Sequence, residues 1–341
     1  MPTPLTRRHL VGSAAGGLAL TGFGRPLAFA QQAEFVFKLG TDVPDSHPIN
    51  IHARRAADAI RQQTNGRVDL RVFSNNQLGG QSDMLSQLRS GALESFALSG
   101  VNVLSTIIPT SSVYGLGFAF PNYDAVWRAM DGQLGATLRG QIETAGFVVM
   151  DKIWDNGFRQ ITNSVRPINE PQDLQGLKIR VPVSSLWTSL FVSLGAAPTS
   201  LNFAEVYSAL QTKVVDGQEN PPVIINAAKL YEVQKFCSVT NHMWDGWWFL
   251  INRRAWTRLP DDLKEIFARN VNAEALEHRK DVARLNAGLR DELTSKGLVF
   301  NDVNPEPFKE QLRRSGFYAE WRKRFGEELM GQLESAAGKL G

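Results

Sequence analysis

The stretch that decides the fold is FVFKLGTDVPDSHPINIHARRAADAIRQQTNGRVDLRVF, residues 35–73. Residues 35–40 alternate apolar and other side chains as a strand does, and residues 68–73 repeat that alternation. Between them, apolar side chains recur at helical spacing from about Asn50, and Asn65-Gly66 can end a helix because both residue types tolerate left-handed geometry. A strand, a helix and a second strand in this order predict an α/β architecture.

The alternation of helices and strands continues along the chain. The pattern predicts a helix over residues 82–90, strands over 146–153 and 176–182, and a helix over 184–194. The sequence has no fixed-period repeat, which excludes solenoids and propellers. Since 341 residues suffice for two domains with a core each, we expect two α/β lobes.

One helix is predicted to be unusually long. Apolar residues keep helical spacing from Pro260 to about Gly297. At ~1.5 Å of rise per residue such a helix of about 36 residues is roughly 50 Å long, more than one small domain needs. We therefore expect it to brace both lobes. Residues 308–340 predict further amphipathic helix.

Residues 1–30 have the pattern of an export signal. Arg7-Arg8 precedes an uncharged stretch, residues 11–24, and Ala28-Phe29-Ala30 is a small-x-small cleavage site. The paired arginines are typical of a twin-arginine signal, which predicts a periplasmic protein. A membrane anchor is the alternative, but the stretch is shorter than the roughly 18 to 20 residues that span a bilayer.

Charge and composition exclude several classes of function. The predicted leader contributes Arg7, Arg8 and Arg25 and no acid, so its removal takes the net charge from +3 to zero, which argues against a nucleic-acid partner. Cys237 is the only cysteine, is expected to be buried, and cannot form an internal disulfide. His47 and His52 lack the spacing of a two-histidine metal site, and no phosphate loop or dinucleotide fingerprint is present. We predict no metal and no cofactor.

Two arginines and a carboxamide indicate carboxylate binding. Arg159 and Arg180 precede the segment VDGQENP, residues 215–221, which contains Asn220. A guanidinium is always charged and can hold a carboxylate by two parallel hydrogen bonds. The alternative for each arginine is a structural ion pair with a nearby acid. Glu219, next to Asn220, is expected to balance the arginine charge.

Three longer motifs give the chain a family resemblance. They are WDNGFRQITN at residues 154–163, DLQGLKIRVP at 173–182 and DGQENP at 216–221. With these motifs the chain resembles a solute-binding protein of a TRAP transporter, of the DctP-type family, over nearly the whole predicted mature sequence. Lys213 departs from the family pattern, since many relatives have glycine there.

The resemblance implies a receptor and not an enzyme. The implied fold is a two-lobed periplasmic binding protein fold with a hinge and a long C-terminal helix spanning both lobes. Lobe one would comprise residues 31–156 and 246–285, and lobe two residues 157–245 and 286–341. The implied function is to close over an organic acid, whether an aromatic or hydroxy acid, a sugar acid or a dicarboxylate, and to deliver it to an ion-gradient-driven permease. We expect a monomer that is not embedded in the membrane.

The resemblance also assigns roles to residues. Arg180 matches the arginine that forms the main salt bridge to the ligand, and Arg159 matches a second arginine near the carboxylate. Asn220 matches an asparagine that hydrogen-bonds the ligand, and Phe203 stands where the family often has an aromatic beside it.

Further candidates come from the residues themselves. We expect at least one of Trp187, Trp244 and Trp247 to line the cleft, because a strand has two faces and both cannot point to the same core. Open α/β sheets receive ligands near strand ends. The candidates in such loops of lobe one are His47, Gln77, Ser99 and Asn102.

Two other functions compete with transport. A ligand sensor would present its closed form to a membrane receptor instead of a permease. A periplasmic enzyme acting on a carboxylic acid is less favoured, because the sequence shows no recognisable nucleophile, metal site or acid/base pair.

Overall fold

The structure is a computed structural model that describes residues 32–340. The predicted signal peptide lies outside these residues. The strands of the described chain are β1 (Phe35–Gly40), β2 (Val68–Phe73), β3 (Ser95–Ser99), β4 (Phe147–Val149), β5 (Trp154–Phe158), β6 (Gln160–Asn163), β7 (Lys178–Val181), β8 (Ala197–Ser200), β9 (Gly217–Asn220), β10 (Phe236–Val239), β11 (Trp244–Asn252) and β12 (Val299–Asp302).

These strands form two mixed sheets. The first sheet has the order β2-β1-β3-β11-β4, with β5 also pairing with β11, and the second has the order β12-β10-β6-β9-β7-β8. In the first sheet β1 is parallel to β2 and β3, whereas β11 runs antiparallel to β3, β4 and β5. In the second sheet β7 is parallel to β8 and β9. The predicted α/β class with two lobes is confirmed.

The helices cover the sheets. They are α1 (Pro48–Gln63), α2 (Gln81–Ser90), α3 (Tyr123–Met130), α4 (Gln133–Thr144), α5 (Ser185–Ser193), α6 (Val206–Gln211), α7 (Pro222–Ala227), α8 (Arg253–Thr257), α9 (Asp261–Ser295), α10 (Glu306–Arg314), α11 (Phe317–Phe325) and α12 (Glu327–Ala337). Helix α1 starts where expected from its chemistry, because Pro48 occupies the first turn and the His47 ring nitrogen Nδ1 accepts the Ile49 N–H at 3.2 Å.

One predicted strand is shorter than the sequence pattern indicates. The expected strand over residues 146–153 is only β4, Phe147–Val149. The Met150 N–H still donates to the Phe249 carbonyl of β11 at 3.0 Å. The Lys152 N–H donates instead to the Asn272 side chain of α9 at 2.9 Å, and pairing with β11 resumes at Trp154.

Helix α9 confirms the prediction of one long helix that spans both lobes. It is unbroken over 35 residues and, at ~1.5 Å per residue, about 52 Å long. Its buried apolar residues between 263 and 275 belong to the core under the first sheet, and those between 282 and 293 belong to the core beside the second sheet. It packs against α1 at one end and α7 at the other.

The C-terminal amphipathic segment is helical as predicted and is divided into three helices. Gly316 and Gly326 have φ values of 76° and 84°, a left-handed geometry that ends an α-helix. Helix α12 packs against α3 and α4, while α10 and α11 pack against α5. The segment is thus tied to elements from both halves of the chain.

None of the helices within residues 32–340 is long and apolar enough to cross a membrane. Cys237 is buried in β10 as predicted, and burial raises the pKa of its thiol to about 12.

Candidate ligand-binding site

Arg159 stands where the chain passes from the first sheet to the second. It is the one residue between β5 and β6, and its backbone N–H donates to the carbonyl of Met243 at 2.8 Å. Met243 lies in the segment that returns the chain from β10 to β11. The two crossings are therefore hydrogen-bonded to each other at a hinge.

The Arg159 guanidinium is 2% exposed and is held by acceptors from both sheets. Its Nε and Nη2 donate to the two carboxylate oxygens of Glu219 on β9 at 2.5 and 2.8 Å. Nη2 also donates to Asn220 Oδ1 at 2.8 Å, and Nη1 reaches the Asp245 carboxylate on β11 at 3.5 Å. The Trp187 ring lies 4.9 Å from the guanidinium carbon. Arg159 is thus already paired by the protein itself.

The acids around Arg159 differ in how strongly they are ionised. Burial opposes ionisation of Glu219, but the charge of Arg159 and hydrogen bonds from His242 and Arg159 outweigh it and hold the pKa of Glu219 at about 2. For Asp245 burial prevails and raises the pKa, although Arg159 and the Ser99 hydroxyl oppose this shift. The strong ion pair of the hinge is therefore Arg159 with Glu219.

Arg180 on β7 is buried without such a partner. It is 1% exposed, and its Nε and Nη2 donate to one backbone carbonyl, that of Leu201, at 3.1 and 2.7 Å. It forms no ion pair with any carboxylate of residues 32–340. Burial lowers the pKa of Arg180 to about 10, so the side chain stays charged at neutral pH. The charges of Glu219 and Asp42 offset only part of the cost of burying this cation, and a bound carboxylate would give it a direct ion pair.

Arg180 faces a small cavity between elements of the two sheets. The cavity measures about 20 Å³, room for about one water molecule. The lining residues are Asp42, Gln81, Asn102, Asn156 and Trp247 from the first half of the site, Arg180, Pro182, Phe203, Asn220 and Ile224 from the second half, and Arg159 between them. Next to the cavity the two halves touch, because the Ser82 hydroxyl donates to Asn202 Oδ1 at 3.2 Å. The structure therefore shows the site in a closed form.

A larger concave region lies elsewhere and is a weaker candidate. It measures about 240 Å³ and lies between residues 118–121 and the C-terminal helices. Its cations Lys309, Arg313 and Lys339 are each within 3.4 Å of a neighbouring glutamate. Because none of them needs a ligand to balance its charge, we place the site at Arg180.

The structure brings together six of the eleven residues expected from the sequence. The residues in the cavity lining are Arg159, Arg180, Asn220, Phe203, Asn102 and Trp247. The Asn220 amide is engaged on both sides, since its oxygen accepts from Arg159 and its nitrogen donates to Gln218 Oε1 at 2.5 Å. The Phe203 ring lies 5.9 Å from the Arg180 guanidinium.

The other expected residues lie outside the lining for identifiable reasons. Trp187 packs beneath Arg159, and Trp244 donates its indole N–H to Asp155 at 2.8 Å. The Ser99 hydroxyl donates to Asp245 at 2.6 Å, and His47 caps α1 with its ring against Trp247. Gln77 is exposed in the loop before α2.

Three polar residues of the lining were not among the expected ones. Asp42 follows the end of β1, Gln81 opens α2, and Asn156 lies within β5 in the motif that includes Arg159. The position of Asp42 just after a strand could have marked it as a candidate, because open α/β sheets receive ligands near strand ends. Among the three candidate tryptophans it is Trp247 that lines the cavity, since alternation along β11 points Trp247 and Trp244 to opposite faces.

The comparison with family models decides the identity of the fold. Residues 39–321 match the model of the bacterial extracellular solute-binding proteins, family 7, the DctP family. The chain belongs to this family. The matched range contains the three motifs at residues 154–163, 173–182 and 216–221 on which the family resemblance rests.

Similar proteins bind different acids. An uncharacterized protein of Sinorhizobium fredii is 36% identical over 82% of the chain, which spans only 51% of that relative's length. The 2,3-diketo-L-gulonate-binding periplasmic protein of Escherichia coli is 30% identical over 86% of the chain and 88% of its own length. A TRAP periplasmic solute-binding protein of Sulfurospirillum deleyianum, solved with bound succinate, is 29% identical with a TM-score of 0.84 over 89% of the chain and 100% of its own. Membership of the family thus leaves the acid open.

Proposed function

We propose that this protein is an extracytoplasmic receptor that captures an organic acid and delivers it to a TRAP permease. The observation that carries the proposal is Arg180, a buried guanidinium with no carboxylate partner among the residues that the structure describes. The relatives that bind a diketo-gulonate and succinate support a carboxylate as the ligand group.

The ion pair with Arg180 is the first step of capture. Nε and Nη2 are already oriented by the Leu201 carbonyl, so the guanidinium is held in place before a ligand arrives. A carboxylate at the remaining donors would form charge-assisted hydrogen bonds in a site that excludes water. Arg159 contributes positive charge nearby but keeps its pairing with Glu219, and so acts chiefly as the hinge.

Closure is the second step. The cavity has one wall from each half of the chain, so a ligand that bridges the walls favours the closed form over an open one. The moving parts in this proposal are the two lobes, residues 31–156 with 246–285 and residues 157–245 with 286–341. The permease would recognise the closed form of the monomer.

The test is ligand-dependent thermal stability of the predicted mature protein, residues 31–341. Protein that has been unfolded and refolded to remove carried-over ligand is heated with organic acids and with the amide of each. An acid at about 100 times its Kd adds about 2.7 kcal/mol to the free energy of unfolding. We expect stabilisation by at least one acid and by none of the amides.

Two variants locate the effect. Arg180→Met should abolish stabilisation by the acid. Arg166→Met is the matched control, because Arg166 also donates to backbone carbonyls, those of Asp173 and Gln175, but lies outside the cavity. If Arg180→Met binds the acid as tightly as the control does, the carboxylate site is not at Arg180.

Export is part of the proposal. The family is extracellular, and Arg7-Arg8 before the apolar stretch supports the twin-arginine route. Replacing Arg7-Arg8 by two lysines should leave the precursor in the cytoplasm, as read by fractionation, while export of a control with a general secretory signal continues.

A further inference from the structure

Four arginines surround a groove at one edge of the first sheet, away from the cleft. They are Arg89 in the last turn of α2, Arg253 and Arg254 on α8, and Arg258 directly after α8. The groove measures about 610 Å³, and the turn at residues 145–147 forms another part of its wall. We call this feature, defined by its four arginines, the arginine groove.

No acid balances the charge of the arginine groove. No carboxylate lines it, and none of its four arginines forms an ion pair with an acid among residues 32–340. Other surface arginines are paired, such as Arg284 with Asp281 at 2.8 Å and Arg314 with Glu310 at 2.8 Å. Four like charges around one hollow repel one another, although the whole chain carries a net charge of only +3. A bound anion would relieve this local repulsion.

The backbone holds one of these guanidiniums in place. The Arg253 Nη2 donates to the carbonyls of Glu143 and Phe147, the latter at 3.0 Å. The Arg253 Nε and Nη1 make no hydrogen bond within the described chain, and neither do the side chains of the other three arginines. The groove therefore presents one oriented guanidinium and three mobile ones, all with donors available to a ligand.

The arginine groove is separate from the proposed carboxylate site. Strand β11 reaches the groove at Asn252, whereas Trp247, five residues earlier on the same strand, lines the cavity at Arg180. Five residues of strand span about 17 Å. All residues of the groove also belong to the proposed lobe one, so closure of the two lobes neither forms nor removes it. Binding there is independent of capture of the organic acid.

The number of charges favours phosphate as the ligand group. Guanidinium forks bind carboxylates and phosphates alike. A carboxylate brings one negative charge, whereas a phosphate monoester brings about 1.5 to 2 at pH 7 and offers three acceptor oxygens. The volume of about 610 Å³ is within the roughly 300–1,000 Å³ of pockets for drug-sized ligands, so several linked phosphates fit.

We propose that the arginine groove binds an anion with two or more linked phosphate groups, either a free oligophosphate or the headgroup of a lipid with two phosphates. The free Nε and Nη1 of Arg253 orient one phosphate, and the other three arginines neutralise the remaining charge. Because all four arginines are exposed, the ion pairs stay in contact with solvent. Salt therefore weakens the binding.

Two measurements on the predicted mature protein distinguish the sources of phosphate. Calorimetry compares tripolyphosphate with tricarballylate, a tricarboxylate of similar size. Cosedimentation compares vesicles that contain cardiolipin, a lipid with two phosphates, with vesicles of equal charge that contain phosphatidylglycerol, a lipid with one. We expect tripolyphosphate to bind at least about tenfold more tightly than tricarballylate, and to bind more weakly as rising ionic strength shortens the Debye length from about 30 to about 8 Å.

Each outcome supports or overturns the phosphate site. Binding of tripolyphosphate without preference for cardiolipin supports a free oligophosphate. Preferential binding to cardiolipin vesicles supports the lipid headgroup. Tricarballylate that binds as tightly as tripolyphosphate, without a preference for cardiolipin, overturns the assignment to linked phosphates. Absence of binding to tripolyphosphate and to both kinds of vesicle overturns it as well.

Variants locate the site. Arg254→Gln with Arg258→Gln should weaken phosphate binding at least about tenfold without lowering Tm, because neither side chain makes a hydrogen bond within the described chain. Arg55→Gln with Arg128→Gln is the matched control, since it removes two charges at other exposed positions and should leave the affinity nearly unchanged. Equal losses in the two double variants would show that only net charge matters and would overturn the groove. Arg180→Met should bind phosphate as the original protein does, and a loss there would place the phosphate in the cleft instead.

Discussion

Replacing Arg180 by methionine should leave the free energy of unfolding of the ligand-free protein unchanged or raise it. Replacing Arg159 by methionine should lower it. Arg180 forms no direct ion pair among the residues described; burial outweighs the more distant charges of Glu219 and Asp42, and the fall of its pKa to about 10 corresponds to about 3 kcal/mol of free energy. Because the folded pKa lies below the unfolded one, the charged side chain destabilises the fold at every pH below about 10. Methionine is similar in length, carries no charge and fits an apolar setting.

The opposing cost is the hydrogen bond to Leu201. Without Arg180 the Leu201 carbonyl loses the side-chain donor, which costs about 1–3 kcal/mol. Arg180→Met without ligand should therefore be as stable as the original protein or up to about 2 kcal/mol more stable. In Arg159→Met the same change leaves Glu219 buried without its cation, and we expect a loss of about 3–5 kcal/mol.

Thermal and urea unfolding of refolded, ligand-free protein measure both effects. At about 2 °C per kcal/mol for a chain of this size, Tm should stay level or rise by up to about 4 °C in Arg180→Met and fall by about 6–10 °C in Arg159→Met. Added acid should raise Tm of the original protein but not of Arg180→Met. If Arg180→Met is destabilised as much as Arg159→Met, Arg180 is a structural arginine and not the ligand's partner.

Three further predictions concern closure, backbone strain and pH. Ser82→Ala removes the hydroxyl that donates to Asn202 across the cleft, so the apparent ligand affinity measured by calorimetry should fall up to about tenfold. The control is Ser90→Ala, which should leave the affinity unchanged because the Ser90 hydroxyl bonds within its own helix. Equal losses of affinity in both variants would argue against a cross-cleft contact. Lys213 has φ of 59°, and Lys213→Gly should raise the free energy of unfolding in urea by about 0.5–1 kcal/mol, whereas a loss would show that the turn is unstrained. Burial raises the pKa of Asp42 from 3.8 to about 6, so the folded pKa lies above the unfolded one. Protonated Asp42 therefore contributes to the free energy of unfolding in full below pH 3.8, and this contribution is lost as pH rises through 6. Between pH 7 and 4 the original protein should gain up to about 3 kcal/mol relative to Asp42→Asn, and parallel pH profiles of the two proteins would contradict the shift.

Local pattern was sufficient for most of the secondary structure. Residues 35–40 and 68–73 are strands with the predicted bounds, and α9 runs from Asp261 to Ser295 as its apolar spacing indicates. The strand expected over residues 146–153 is only Phe147–Val149, and within the expected range the Lys152 N–H bonds to a side chain of α9 instead of to a strand. The C-terminal segment is helical as predicted, and two glycines with positive φ divide it into three helices.

The site was only partly readable from sequence. Arg159 and Arg180 could be named because their residue type suits a carboxylate and because the surrounding motifs resemble a family. Asp42, Gln81 and Asn156 were missed, since Asp, Gln and Asn are common near strand ends and helix starts for reasons of local capping. Only the closed fold shows that two of their amide oxygens lack partners.

The sequence by itself determined the α/β class, the long bracing helix and the presence of two arginines suited to a carboxylate, because these depend on periodicity and residue type. The tertiary structure decided which arginine is free to bind. Arg159 forms an ion pair with Glu219, 60 residues further along, only because β6 pairs with β9. Arg180, on the strand next to β9, donates instead to a backbone carbonyl. Whether a buried charge or amide is satisfied depends on groups that strand pairing brings together from distant parts of the chain, so it cannot be read from local spacing.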